Sequence, residues 1–215
     1  LIYYLGWFNI PLIGLCLLTV FFSFYSGHET GIEAYYTVLI ISSIFLFFSI
    51  RLQKNIFLRK FDLLMVIFLG WLIFPIIIAI PFYTSPYQVD LFQAYFESFS
   101  GFSGYGLSIF TNPEFINEPL LLWRSGSQWI GGFYFLFTII SILSTKDFNF
   151  IPSSYISSSI NSLNFETKFM ENFLNLLYGY LLFSLFILLV LNFSSFNLFE
   201  KIILMMTAVS SGGFY

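Results

Sequence analysis

Apolar runs of bilayer length alternate with short amphipathic stretches along this 215-residue chain. A helix needs about 20 apolar residues to cross the hydrocarbon core. Five segments reach or approach that length: residues 1–25, 34–50, 63–83, 120–143 and 172–196. They are apolar on all sides, which predicts lipid-embedded helices rather than amphipathic surface ones. Pro11 lies near the middle of the first; Pro75 and Pro81 predict a kink and a frayed exit in the third. The fourth carries one charge, Arg124, near its start. Two further segments, 90–100 and 197–207, are too short or too polar to span.

Those two short segments belong to a repeat, offset by 107 residues from Asp90 to Asn197. Leu91/Leu198, Phe92/Phe199, Ser103/Ser210 and Gly106/Gly213 are identical pairs without a gap. Each copy follows a long apolar segment, opens on a good N-cap residue and ends in a small-residue loop bearing Gly. Each lies between spans that end on one side of the membrane, so each is expected to dip in and return. Non-helical backbone at membrane depth needs protein or a water-filled cavity around it.

Charge sets the orientation. Arg51, Lys54, Arg59 and Lys60 fall within ten residues, which places that connection in the cytoplasm. Residues 144–169, with Lys146 and Lys168, then lie on the same side. Glu29, Glu33, Asp90, Glu114, Glu118 and Glu200 lie opposite, with Lys201. Six of the eight cations thus share one side of a five-span arrangement.

Composition agrees: 58% of residues are hydrophobic and only 9% charged, against about a quarter in soluble domains. The net charge of −3 and the lack of a basic face argue against nucleic acid as a partner. The single cysteine, Cys16, allows no internal disulfide and reads as a small core residue. The single His28 removes any His-based catalytic dyad, and with Glu29 and Glu33 it reads as a solvated loop rather than a metal site. No residue is arranged for covalent catalysis, so an enzyme is not expected, and no cofactor is called for. The chain starts at Leu1, has no cleavable signal peptide and stops inside the second loop, so it reads as a piece cut at both ends.

A dehydrated monovalent cation needs several oxygen ligands, and backbone carbonyls supply them without formal charge. Gly104, Gly106, Gly212 and Gly213 permit the backbone turns that aim successive carbonyls at one axis. The preceding helix points its partly negative C-terminal end at the loop, which favours a cation. The competing view is a pair of Gly/Ser turns at helix ends. Glu97 is an acid inside an otherwise apolar helix; a partner in Arg124 would relieve its cost. Arg124 snorkelling to headgroups is the alternative. Gln128 suits either a bond to a loop carbonyl or a helix–helix contact.

Particular residues resemble the Trk/Ktr/HKT superfamily of potassium transporters. Phe96-Glu97-Ser98-Phe99-Ser100-Gly101-Phe102 and Ser103-Gly104-Tyr105-Gly106 are similar to its first pore loop. Leu121-Leu122-Trp123-Arg124-Ser125 with Gln128-Trp129-Ile130-Gly131-Gly132 resembles the start of its next helix, and is the most specific signal. Thr207-Ala208-Val209-Ser210-Ser211-Gly212-Gly213-Phe214 resembles the second pore loop. The chain departs from the family in its Ser-Gly-Tyr-Gly-Leu first loop, usually Thr-rich, and in Phe133-Tyr134, where a further Gly is common.

The resemblance implies an all-α transmembrane fold: five spans plus two re-entrant pore helices, two of four span–loop–span units. Residues 1–60 form an N-terminal pair of spans, and 61–145 a first pore unit with pore helix 90–100 and filter 103–107. Residues 146–169 form a cytoplasmic linker, and 170–215 a second unit truncated in its filter. The implied ion-binding residues are Ser103, Gly104, Tyr105, Gly106, Ser210, Ser211, Gly212 and Gly213, supported by Glu97, Arg124 and Gln128. The implied activity is potassium uptake across the bacterial inner membrane, in a homodimer seated on a cytosolic nucleotide-binding ring. Gly106 leans toward potassium over sodium. Sodium or mixed cation transport, a tetrameric channel subunit and a polytopic scaffold without an ion path remain the rivals.

Overall fold

In the computed structural model the chain is described over residues 2–27, 31–52, 60–111, 115–143 and 165–213. His28, Glu29, Glu114, Phe214, most of the basic connection after Arg51 and the 146–164 part of the linker lie outside the described residues. Eight helices and no strands occur among them: α1 Ile2–Trp7, α2 Asn9–Ser26, α3 Ile32–Arg51, α4 Lys60–Tyr83, α5 Leu91–Ser103, α6 Glu118–Leu143, α7 Phe165–Leu191 and α8 Leu198–Ser210.

Four stretches are long and apolar enough to cross a membrane: Ile2–Ser26, Ile32–Arg51, Leu64–Tyr83 and Glu171–Leu191. They mark the chain as a helical membrane protein. The expected span at 120–143 lies within α6, which has 26 residues but is not among the four. Its first half carries Glu118, Arg124, Ser127 and Gln128.

Sequence chemistry explains where the helices break. Pro11 has no N–H for the Trp7 carbonyl, and its ring crowds that turn. The first stretch accordingly splits at Phe8, and the buried Asn9 side chain donates to the Leu5 and Gly6 carbonyls at 3.3 and 3.4 Å. Pro75 and Pro81 do not fray α4, which runs on to Tyr83. Helix α7 begins at Phe165, within the expected 146–169 connection, and stops at Leu191, short of the expected span end near 196.

The core is aromatic. Phe8, freed by the break, meets Tyr134, Phe137 and Phe173 with ring centroids at 4.6, 5.0 and 5.1 Å. Its neighbours come from α6 and α7, so the break locks three elements together. Small residues allow close approach elsewhere. Gly6 faces Ser49, whose hydroxyl donates to the Ile2 and Tyr3 carbonyls at 2.9 and 2.8 Å. Gly70 leaves room for the Tyr134 hydroxyl, which donates to the Ile67 carbonyl at 2.9 Å. Of the four long apolar stretches, the one in α7 is the least enclosed, with 11% buried.

Candidate functional site

Helices α5 and α8 repeat each other in detail. Both have 13 residues, and their N-caps Asp90 and Asn197 share one conformation, φ/ψ −69/158 and −67/158. Each closes a reciprocal capping box: the Asp90 N–H donates to Gln93 Oε1 at 3.1 Å, and the Asn197 N–H to Glu200 Oε2 at 2.9 Å. Each ends in a left-handed residue, Gly104 at φ 70 and Ser211 at φ 57. The next amide closes the same C-terminal motif, Tyr105 N–H to the Ser100 carbonyl at 3.0 Å and Gly212 N–H to the Thr207 carbonyl at 3.1 Å. Both helices run three residues past the expected 90–100 and 197–207 bounds. Ser103 and Ser210 are therefore last helical residues, with hydroxyls turned back on the Ser100 and Met206 carbonyls.

The loops that follow are brought together. A Cβ placed on Gly106 would stand 3.0 Å from the Gly213 nitrogen and 3.1 Å from its Cα. Gly104 faces the Ser210 carbonyl at 3.9 Å on the same construction. Gly106 has φ 75, a conformation that costs an ordinary L residue about 1–2 kcal/mol. Tyr105 is 75% exposed.

The return from the first loop is fastened by Glu97. Its carboxylate is fully buried and accepts from Arg124 Nε at 2.7 Å, Ser108 Oγ at 3.0 Å and the Ile109 N–H at 2.8 Å. Arg124 also lies over the Phe110 ring, 5.8 Å from its centroid. Ser100 Oγ donates to the Leu107 carbonyl at 2.6 Å. The chain leaving Gly106 is thus tied to α5 and to α6 at once. Ser98 adds a bond to the Pro75 carbonyl at 2.7 Å, joining α5 to α4.

Helix α6 wedges between the two short helices. A Cβ on Gly131 would collide with the Phe102 carbonyl at the end of α5; one on Gly132 would stand 2.9 Å from Ser210 Cβ at the end of α8. Gln128 lies one turn earlier, against Gly212. Arg124, Gln128 and Gly131 recur at helical spacing on one face, so a single helix reaches both loops. The Tyr180 hydroxyl donates to the Trp129 carbonyl at 2.9 Å and Trp129 Nε1 donates to Ser184 Oγ at 2.9 Å, binding α7 to the wedge.

Reasoning from sequence missed the roles of Ser108, Ile109 and Gly131. Ser108 and Ile109 carry no local signal. Two glycines in mid-helix, each costly for helix formation, were an available cue to close packing at Gly131. Among the described residues, no three His, Cys, Asp or Glu side chains cluster as metal ligands.

No family model matches the chain. Over 171 residues it is 28% identical to an uncharacterized cation transporter of Methanocaldococcus jannaschii. The alignment takes in 80% of this chain and 36% of that protein, so the chain spans about a third of the relative's length.

Proposed function

We propose that the chain forms half of a cation pore, in which the loops after α5 and α8 offer peptide oxygens to a dehydrated monovalent cation, potassium first. In this reading α6 is a fifth span, and α5 and α8 are re-entrant helices that enter from outside and end at membrane depth. The carrying observation is the meeting of two identically capped helix–loop pieces at Gly106 and Gly213. Their helices end toward the meeting place, and a helix C-terminus carries about half a negative charge. The similarity to a cation transporter over 80% of the chain supports the same reading.

Gly104, Gly106, Gly212 and Gly213 supply the carbonyl path, flanked by Ser103, Tyr105, Ser210 and Ser211. Glu97 and Arg124 fix the first loop without touching the ion. Uptake needs no bound fuel: about 2.3 kcal/mol per charge per 100 mV drives roughly 50-fold accumulation. The pathway involves no covalent step. It is completed by further pore units in the full-length protein, in the plasma membrane, with the basic connections facing the cytoplasm. A second copy and a cytosolic nucleotide-binding ring are the partners implied by the family resemblance.

The test is rubidium flux into proteoliposomes holding the full-length protein under an inside-negative potential. Uptake competed by potassium more strongly than by sodium is expected. Equal competition by both ions would remove the potassium preference and keep the pore. No uptake above protein-free vesicles by any alkali cation would overturn the reading.

A further inference from the structure

We propose that Gln128 is a positioning residue that acts through Gly212 to set the peptide geometry of the second loop; the inference rests on the cation path proposed above. Its side chain is fully buried, yet neither Nε2 nor Oε1 has a hydrogen-bond partner among the described residues. The amide occupies the space where a side chain at Gly212 would be. A Cβ there would collide with Cδ and Oε1 and stand 2.6 Å from Nε2.

Gly212 is not among the glycines with positive φ. Its backbone is open to ordinary L residues, and what excludes them is the glutamine. The repeat-equivalent position in the first loop carries Tyr105 with its ring exposed, so the exclusion belongs to the second loop alone. Gln128 is itself fixed from both sides along α6. Arg124, one turn before, is bonded to Glu97, and Gly131, one turn after, is pressed on Phe102.

A buried amide with both ends unmatched is costly, and an apolar residue of similar shape would avoid that cost. The amide lies against Gly212, with a donor and an acceptor for the peptides on either side of that residue. It bonds those peptides when the loop turns its carbonyls onto a cation. Gln128 therefore favours the loop geometry that presents carbonyls to a cation, and its loss is felt as weaker cation affinity.

The test uses the full-length protein and two variants at the contact. Gln128→Met keeps length and bulk but deletes the amide. It should melt at or above the wild-type temperature while its KM for rubidium rises roughly tenfold, the loss of one hydrogen bond. The maximal rate should hold. An unchanged KM would reduce Gln128 to filler and overturn the proposal. Gly212→Ala should lower both melting temperature and uptake, and Gln128→Ala in the same chain should restore the melting temperature, with uptake returning only as far as the raised KM of a chain without the amide. An alanine variant that is not rescued would locate the glycine requirement in the backbone and overturn the contact argument. A wild-type protein that moves no cation would instead remove the pathway, while the melting temperatures of the two single variants and the double still report whether the contact exists.

Discussion

The loops after α5 and α8 begin alike and are held differently. Caps, helix length and left-handed C-caps superpose position by position across the repeat. Past the C-terminal motif the two loops are fastened by different contacts. The first loop is tied by hydrogen bonds: Glu97 gathers Arg124, Ser108 and Ile109, and Ser100 holds the Leu107 carbonyl. In the second copy the position of Glu97 is Leu204, and the position of Ser100 is Thr207, whose hydroxyl turns back to its own helix at the Ile203 carbonyl. There the fastening is steric, with Gln128 over Gly212 and Gly132 against Ser210. A duplicated element keeps the parts that make a helix and diverges in the parts that hold its loop.

The largest effect should come from carrying the second copy's solution into the first. Glu97→Leu removes the carboxylate that the buried Arg124 guanidinium bonds, and breaking a buried pair from one side costs about 3–5 kcal/mol. The purified full-length protein should show a sharply lower melting temperature and reduced folded yield. Adding Arg124→Leu should recover much of the loss, since an apolar pair of similar volume is often neutral. A loss below about 1 kcal/mol would mean that packing, not the polar hub, holds the first loop.

Next is the pair of glycines where the loops meet. Gly106 combines φ 75 with a Cβ position 3.0 Å from the Gly213 nitrogen. Gly106→Ala should cost about 1–2 kcal/mol from the backbone alone, plus the crowding. Gly213 is not among the positive-φ glycines, and a Cβ there would lie 3.8 Å from Gly106 Cα, ordinary contact distance. Gly213→Ala should therefore cost little in melting temperature. Equal losses would show that the two sides of the contact are interchangeable.

The two N-caps test the part of the repeat that has not diverged. Asp90→Ala and Asn197→Ala should each cost about 1 kcal/mol, and the two should match because the capping boxes do. A loss at only one helix, measured by melting, would break the equivalence at its best-conserved end.

These particulars show what the residues carried openly and what they did not. Asp90 and Asn197, each followed three residues later by Gln93 or Glu200, spell a helix start in local sequence. The far ends were misjudged by three residues, because Ser100-Gly101-Phe102-Ser103 reads as loop by propensity. Burial of Phe102 against Trp71, Phe74 and Tyr134 overrides that propensity. The Glu97–Arg124 contact was legible because a lone acid inside an otherwise apolar helix demands a partner. The fit of Gly131 to the Phe102 carbonyl was not, since it depends on which distant element arrives there. The break at Phe8 lay in between: Pro11 was visible, and the carbonyls served by Asn9 were not.

The smallest expected effect probes the C-caps, where the copies differ by one residue. Gly104 and Ser211 hold equivalent left-handed positions, φ 70 and φ 57. Gly adopts that region freely, whereas Ser stands there against a steric cost of about 1 kcal/mol. Ser211→Gly should relieve it, offset by the greater freedom of glycine in the unfolded chain, for a net gain of roughly 0.5 kcal/mol. Gly104→Ser should lose a similar amount. Opposite signs in the two melting temperatures would establish that both helices end by the same conformational rule. A loss for Ser211→Gly would mean that the Ser211 side chain does more than fill a cap, and the likeness of the copies would then stop one residue earlier.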